Sequence, residues 1–176
     1  RPMTAHKSGD PTTLNRLYGR QSGPRLRKAQ QELVDTLLPR LDWPDERDVD
    51  PRSLLPGFER HVLEIGFGGA EHLIGQARRD PEAGFLGGEP FLNGVAKALA
   101  GIEEHGLENV RVKRGDARDE LERMPDRVFD KVFLLFPDPW PKTRHHKRRF
   151  ISAETLDQLA RVLEPGALFR VATDIP

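Results

Sequence analysis

From residue 60 onward, short apolar segments alternate with amphipathic ones, and this alternation limits the possible folds more than any other feature of the chain. Apolar segments that end at glycine or turn residues predict strands, and apolar residues spaced three and four apart predict helices. The predicted strands are residues 61–66, 84–89, 110–113, 128–136 and 167–173, with helices at 71–79, 91–104, 118–124 and 152–163. Strands that alternate with helices form a parallel sheet with right-handed crossovers, so the sequence predicts a doubly wound α/β fold. Such a sheet binds its ligands at the carboxyl ends of its strands.

The residues before this alternation divide into three predicted parts. Residues 1–24 combine basic residues with proline, serine and glycine, which indicates a flexible basic arm. Residues 25–41 have leucines at helical spacing, and residues 42–58, proline-containing and partly acidic, predict a linker. We therefore expect one domain over residues 25–176, made of an N-terminal helix, the linker 42–58 and a core at 59–176. The sequence stops just after the fifth predicted strand, which would leave an apolar strand near an edge, so we expect the last strands of the fold to be lacking.

A net charge of zero hides two basic blocks, and these indicate a polyanionic partner. Residues 11–31 and 142–149 each contain five lysines and arginines and no acid. Two solvated loops are the alternative explanation. The chain has no cysteine and no apolar run long enough to span a membrane, so thiolate and disulfide chemistry are excluded and we expect a cytoplasmic protein without a membrane partner.

The first predicted strand runs into the turn EIGFGGAE at residues 64–71, which indicates the class of cofactor. Gly66 and Gly68 match the first two glycines of the dinucleotide-binding pattern, but Glu71 occupies the third position. Glu71 would repel a pyrophosphate at the helix N-terminus, and Glu64 adds a second negative charge. An acidic glycine-rich turn suits S-adenosylmethionine, which carries a sulfonium and an ammonium and no phosphate, and disfavours NAD.

Two further acids follow the next two predicted strands. Glu89 ends the second strand, where a carboxylate can accept hydrogen bonds from both ribose hydroxyls. Asp116 follows the third, where it could accept from the adenine amino group. Each could instead be a helix cap or loop carboxylate, but three acids at three successive strand ends favour a binding site.

The fourth predicted strand leads into FPDPWPKTRHHKRR at residues 136–149, the most specific segment of the chain. Asp138 stands between two prolines at the strand end, and Trp140 offers a flat face for a base. The cations that follow can meet phosphates; they are Lys142, Arg144, Lys147, Arg148 and Arg149. We expect no metal here, because no cysteine or spaced carboxylate completes a site with the two histidines. If Asp138 were only structural, it would need a partner, for which Arg144 is a candidate.

On these motifs, together with RLYGR at 16–20, GEPF at 88–91 and ATD at 172–174, the chain resembles the bacterial tRNA (guanine-N(7)-)-methyltransferase family. The resemblance implies a Rossmann-like, S-adenosylmethionine-dependent methyltransferase fold that methylates a guanine in the tRNA variable loop by in-line displacement. It also implies site roles. The cofactor would be held by Glu64, Glu89 and Asp116, with Asp138 as the central catalytic acid; the glycine pattern of the turn adds Gly66 and Gly68 to the cofactor site. The RNA would be contacted by Lys142 and Asp174, and we add Trp140 and Arg144 from the loop composition. Ala70 departs from the family, where many members have a further glycine.

Three other functions stay open at this point. Asp138-Pro139-Trp140 partly resembles the loop of methyltransferases that act on exocyclic amines of nucleic acids. A non-catalytic RNA-binding module with a vestigial cofactor fold would show the same basic blocks. An NAD oxidoreductase is the least favoured, because of Glu71.

Overall fold

The computed structural model describes residues 21–45 and 48–174, and its centre is a five-stranded, fully parallel sheet in the order β3-β2-β1-β4-β5. The strands are β1 (Arg60–Ile65), β2 (Ala83–Gly88), β3 (Val110–Lys113), β4 (Phe129–Leu135) and β5 (Leu163–Ala172). The helices are α1 (Lys28–Thr36), α2 (Leu38–Leu41), α3 (Pro51–Leu54), α4 (Glu71–Arg79), α5 (Leu92–His105), α6 (Ala117–Arg123) and α7 (Ala153–Val162), with a 3-10 helix at Thr143–Arg148. The predicted doubly wound α/β fold is confirmed. The predicted flexible arm falls mostly outside the described residues.

Side chains of the strands alternate between two cores, one on each face of the sheet. Val62 of β1 packs with α4 and α5, whereas its neighbour Leu63 packs on the other face with α6 and α7. The chain order reverses between β1 and β4, since β2 and β3 lie on one side of β1 and β4 and β5 on the other. This is the topological switch point at which a doubly wound sheet binds its ligands. No helix in the described ranges is long and apolar enough to cross a bilayer.

The structure differs from the expectations at three places. The helix expected over residues 25–41 is divided at Leu37, because Pro39 has no N–H to continue the helical hydrogen-bond ladder. The expected linker contains α3, whose N-cap Asp50 accepts from the N–H of Arg52, and buries Trp43, Val49 and Leu55 against the sheet. Strand β5 begins at Leu163 rather than after the Pro-Gly pair, because a register shift against β4 accommodates that pair.

Candidate functional site

A cleft of about 300 Å³ opens at the switch point, at the carboxyl ends of β1, β2 and β4. This volume lies at the lower end of the range for small-molecule sites. Most of the predicted site residues line it, together with apolar and proline residues of the strand ends. The predicted residues in the lining are Gly66, Gly68, Glu89, Asp116, Asp138 and Trp140.

The glycine turn between β1 and α4 is left-handed at three positions. Gly66, Gly68 and Ala70 have φ of 64°, 55° and 68°, which favours glycine at each of them. The third of these residues is the departure from the family noted above. The turn also lies against α5, since a Cβ at Gly94 would come 2.3 Å from the carbonyl oxygen of Gly68. Only glycine at position 94 allows this approach.

Glu89 ends β2 with both carboxylate oxygens already bonded to the protein. Its Oε2 accepts from the N–H of Gly68 at 2.8 Å, and its Oε1 accepts from the N–H of Phe91 at 3.0 Å. Burial raises the pKa of Glu89, the two backbone hydrogen bonds lower it, and the charge of Asp138 raises it further. Glu89 therefore holds the glycine turn in place and faces the cleft at the same time.

Asp116 also combines a structural contact with a position in the cleft. Its Oδ1 accepts from the N–H of Arg118 at 2.9 Å and so caps α6, and the Arg118 guanidinium pairs with both carboxylate oxygens. Each carboxylate oxygen accepts two contacts from Arg118, which fixes the orientation of Asp116. Both residues line the cleft, so a ligand there can share or displace these contacts.

Glu64 is not among the residues that line the cleft. Its buried carboxylate lies on the α4 side of the sheet, with Oε2 at 2.9 Å from Nδ1 of His72. Burial raises the pKa of Glu64, while the hydrogen bond and charge of His72 lower it. In this structure Glu64 stands behind the glycine turn, and its role as a direct cofactor ligand stays a prediction.

The loop after β4 presents an aromatic ring and a carboxylate at the other side of the cleft. Phe136 is 63% exposed and has φ of 52°, an unfavourable conformation for a bulky side chain. Asp138 is exposed, and among residues 21–45 and 48–174 it makes no hydrogen bond or ion pair. Its candidate structural partner, Arg144, instead bonds through Nε to His145 at 3.2 Å.

Trp140 is held by the basic residues that follow it. The Arg148 guanidinium carbon lies 5.0 Å from the centre of a Trp140 ring, and the His145 ring meets the indole edge-on at 5.7 Å. Arg149 donates from Nε to the carbonyl oxygens of Pro139 and Trp140, at 2.9 and 3.3 Å. The loop is therefore a folded unit whose cations partly serve its own structure.

The remaining predicted substrate residues lie outside the cleft lining. Lys142 and Arg144 are exposed at the start of the 3-10 helix, and Asp174 is exposed just after β5. Their positions fit contact with a ligand larger than the cleft. No group of three or more histidine, aspartate or glutamate side chains in the described ranges is arranged to hold a metal ion.

Four features of this site were not predicted from the sequence. They are the close approach at Gly94, the pairing of Arg118 with Asp116, the contact of His72 with Glu64, and the exposure of Phe136. A glycine in the first turn of an amphipathic helix was a readable signal for Gly94. The other three depend on tertiary contacts or on a positive φ, which a phenylalanine in the sequence does not predict.

The family model and the sequence relatives agree on the family. A family described as "Putative methyltransferase" matches residues 59–176. The tRNA (guanine-N(7)-)-methyltransferase of Sphingopyxis alaskensis is 53% identical over 180 residues, which cover 99% of this chain and 76% of that protein. The enzyme of the same name from Erythrobacter litoralis is 50% identical, with 99% and 75% covered.

Among solved structures, the 16S rRNA methyltransferase KamB superposes with a TM-score of 0.55 at 22% identity. The match covers 72% of this chain and 59% of that chain, and at this identity it speaks for the fold alone. Fold and sequence relatives agree, and the chain belongs to the tRNA (guanine-N(7)-)-methyltransferase family.

Proposed function

We propose that this protein transfers the methyl group of S-adenosylmethionine to N(7) of a guanine in the variable loop of tRNA. One observation carries the proposal: a single cleft at the switch point has Glu89 and Asp116, both bonded to the protein, on one side and Asp138 on the other. Within residues 21–45 and 48–174, Asp138 has no hydrogen-bond or ion-pair partner. Relatives at 53% and 50% identity that carry this activity in their names support it. A tRNA substrate also agrees with a cytoplasmic location. We further propose that residues 25–176 act as one domain.

The residues of the first side fit S-adenosylmethionine. Glu89 and Asp116 offer acceptors for hydroxyl and amino groups, and the left-handed turn at Gly66 and Gly68 keeps side chains away from the ligand. Glu71 lies outside the cleft lining, in the first turn of α4, where its charge would repel a pyrophosphate at that helix N-terminus. When bound, S-adenosylmethionine supplies a methyl group that its sulfonium has already activated.

The residues of the second side orient the guanine. N(7) has a free in-plane lone pair, so the protein needs no base to deprotonate it. The carboxylate of Asp138 accepts from the ring N–H and the exocyclic amine, which fixes the base and balances the positive charge that develops on the purine. Orientation of this kind contributes up to roughly 7–11 kcal/mol in favourable systems.

The decisive experiment is methyl transfer from labelled S-adenosylmethionine to bulk tRNA, followed by nucleoside analysis. We expect 7-methylguanosine, whose glycosidic bond is labile. A methylated exocyclic amine would instead establish the competing enzyme class. Cofactor binding without any methylated nucleoside would favour a non-catalytic RNA-binding module.

The basic loop should supply affinity for the RNA backbone. Arg148 contacts Trp140 and lines the cleft, so the cleaner variant replaces only the exposed Arg144 and Lys147 with alanine. We expect weaker tRNA binding and a slope of log K against log salt that is shallower by roughly 0.7–0.9 per lost phosphate contact.

Alanine at Arg78 and Arg79 provides the matched control, because these exposed cations end α4 away from the loop. Calorimetry with S-adenosylmethionine should give wild-type affinity for both double variants. An unchanged salt slope for the loop variant would show that its cations are only solvated.

A further inference from the structure

A buried polar cluster underlies the turn between β3 and α6, outside the cleft itself. It consists of Trp43, Lys113, Glu120 and Arg123, with the exposed Asp45 at its rim, and is called here the Trp43 cluster. Trp43, Glu120 and Lys113 are 2%, 3% and 6% exposed. A buried carboxylate and a buried ammonium are costly unless each is well partnered, so their presence calls for an explanation.

The contacts of the cluster satisfy each buried charge. The indole Nε1 of Trp43 donates to Oε2 of Glu120 at 2.6 Å, and Arg123 donates to Oε1 of the same carboxylate at 2.5 Å. Lys113 Nζ donates to the Trp43 carbonyl at 2.6 Å and pairs with Asp45 at 2.8 Å. A fully satisfied network of this kind holds its members in one arrangement.

The cluster reaches the cleft through two short routes. The carboxylate of Glu120 lies under Gly115, with Oε1 3.9 Å from where a Cβ of that glycine would stand, and Gly115 lines the cleft. The carbonyl of Lys113 accepts from the N–H of Glu89 at 3.0 Å, and the carbonyl of Glu89 accepts from the N–H of Gly115 at 3.2 Å. Glu120 also lies one helical turn after Asp116, the N-cap of α6.

We propose that Trp43 and Glu120 are positioning residues, which hold the turn from Lys113 to Arg118 in the geometry that the cofactor requires. This inference rests on the proposed function, because it assigns that turn to S-adenosylmethionine. The segment before α3 thereby serves the site from a distance: it supplies the indole N–H and a carbonyl to the underside of the cleft. Neither residue touches the ligand. Without the indole donor, the Glu120 carboxylate loses one partner, and the first turn of α6 is free to shift.

The test compares cofactor binding in Trp43→Phe and wild type. Phenylalanine keeps an aromatic ring in the core but removes the N–H. We expect the Kd for S-adenosylhomocysteine to rise roughly twofold to thirtyfold, the range for residues that act through packed neighbours. At saturating cofactor, kcat and the KM for tRNA should stay at wild-type values. A loss of folded protein would instead lower the apparent kcat.

A control is needed because a general loss of stability could also raise the cofactor Kd. Asp80→Asn is the matched control, since it breaks the ion pair with Arg60 at 2.8 Å, at the amino end of β1 and away from the cleft. This variant should lose stability while its cofactor Kd stays unchanged. Wild-type cofactor affinity in folded Trp43→Phe, or equal weakening in Asp80→Asn, would overturn the inference.

A second variant, Glu120→Gln, tests the same inference if Trp43→Phe folds poorly. Glu120→Gln retains an acceptor for the indole and removes the charge that pairs with Arg123, so it should weaken cofactor binding too. The double variant should lose less affinity than the sum of the two single losses, because both changes act on the contacts of one carboxylate, that of Glu120. Additive losses would contradict the inference. Wild-type protein that does not bind the cofactor would overturn the proposed function together with this inference. If wild type binds the cofactor, a negative result for the variants overturns this inference alone.

Discussion

The two sides of the cleft differ in how far their polar groups are already satisfied by the protein. On the side that we propose binds the cofactor, called here the cofactor side, Glu89 accepts two backbone N–H groups and Asp116 pairs with Arg118. On the side that we propose binds the guanine, called here the substrate side, Asp138 has no hydrogen-bond or ion-pair partner in the described ranges, and Phe136 is exposed with a left-handed backbone.

This difference indicates how each ligand is bound. Hydrogen bonds and an ion pair already hold the acids of the cofactor side in place, so we expect little ordering cost on binding. The substrate side keeps the charge of Asp138, which has no partner within the described residues, and the exposed ring of Phe136. Exposed groups and backbone strain of this kind are retained where a ligand uses them. Variants on the two sides should therefore separate into effects on stability and effects on activity.

Asp138→Asn should give the largest effect. The variant keeps the size of the side chain and one acceptor but loses the charge that balances the purine cation. We expect kcat/KM for tRNA to fall by about 10²-fold or more, roughly 2.7 kcal/mol of transition-state stabilisation. Labelled methyl transfer under limiting tRNA measures this ratio.

The same variant should fold and bind cofactor normally, because no described residue depends on the Asp138 carboxylate for a hydrogen bond. Thermal unfolding and calorimetry provide these controls. A lower unfolding temperature with a proportionate loss of activity would show that Asp138 has a structural role, as Glu89 and Asp116 do. Near wild-type turnover would show that its charge is not needed.

Glu89→Gln should do the opposite and reduce stability. Glutamine offers one carbonyl oxygen and places an amide NH₂ against one of the two backbone N–H groups, at Gly68 or Phe91. A buried donor left without its acceptor costs about 1–3 kcal/mol, and we expect the free energy of unfolding to fall by that amount. Denaturant unfolding measures it, and calorimetry should show weaker cofactor binding because the glycine turn loosens. Unchanged stability would contradict the structural role of Glu89.

Phe136→Gly should weaken tRNA binding without harming the fold. Stacking of a base on an aromatic ring contributes about 1–3 kcal/mol, so we expect the KM for tRNA to rise by a corresponding factor. The unfolding temperature should not fall, since glycine adopts a φ of 52° without strain and the lost ring is 63% exposed. Leu168→Ala, an exposed apolar residue on β5, is the control and should leave KM unchanged. A wild-type KM for Phe136→Gly would remove this ring from the substrate side.

Much of the fold was predictable because its signals are local. The apolar periodicity places β1 to β4 and α4 to α7 within one or two residues of their bounds, and strand ends in a doubly wound sheet share one edge. The acids at those ends could therefore be assigned to one site. Their partners could not, because Gly68 is 21 residues from Glu89 in the chain and meets it only through packing.

The expected linker shows the same limit more clearly. Trp43 stands among acids and prolines, a composition typical of exposed loops, yet it is buried in the core and donates to Glu120, 77 residues further along the chain. Phe136 is the reverse case, since its apolar neighbours predict a buried strand end and a left-handed backbone turns it outward. The burial of Trp43 depends on contacts distant in sequence, and the exposure of Phe136 depends on a single backbone angle.

The smallest expected effect is an electrostatic coupling between the two sides. Burial raises the pKa of Glu89, and the charge of Asp138 raises it further. Asp138→Asn should therefore lower the pKa of Glu89, which ¹³C NMR titration of the carboxyl group measures directly.

The coupling also has a signature in stability. A raised carboxyl pKa means that the folded state favours the protonated form. The associated stability is present below the ordinary glutamate pKa and is lost as the pH rises through the folded pKa. In Asp138→Asn this loss should be smaller and complete at a lower pH, so the variant should gain stability relative to wild type as the pH rises through that window. In a Glu89→Gln background no such gain should occur, because the titrating group is absent. An unchanged Glu89 pKa in Asp138→Asn would mean that solvent screens the two carboxylates from each other, and that the two sides of the cleft act independently before the ligands bind.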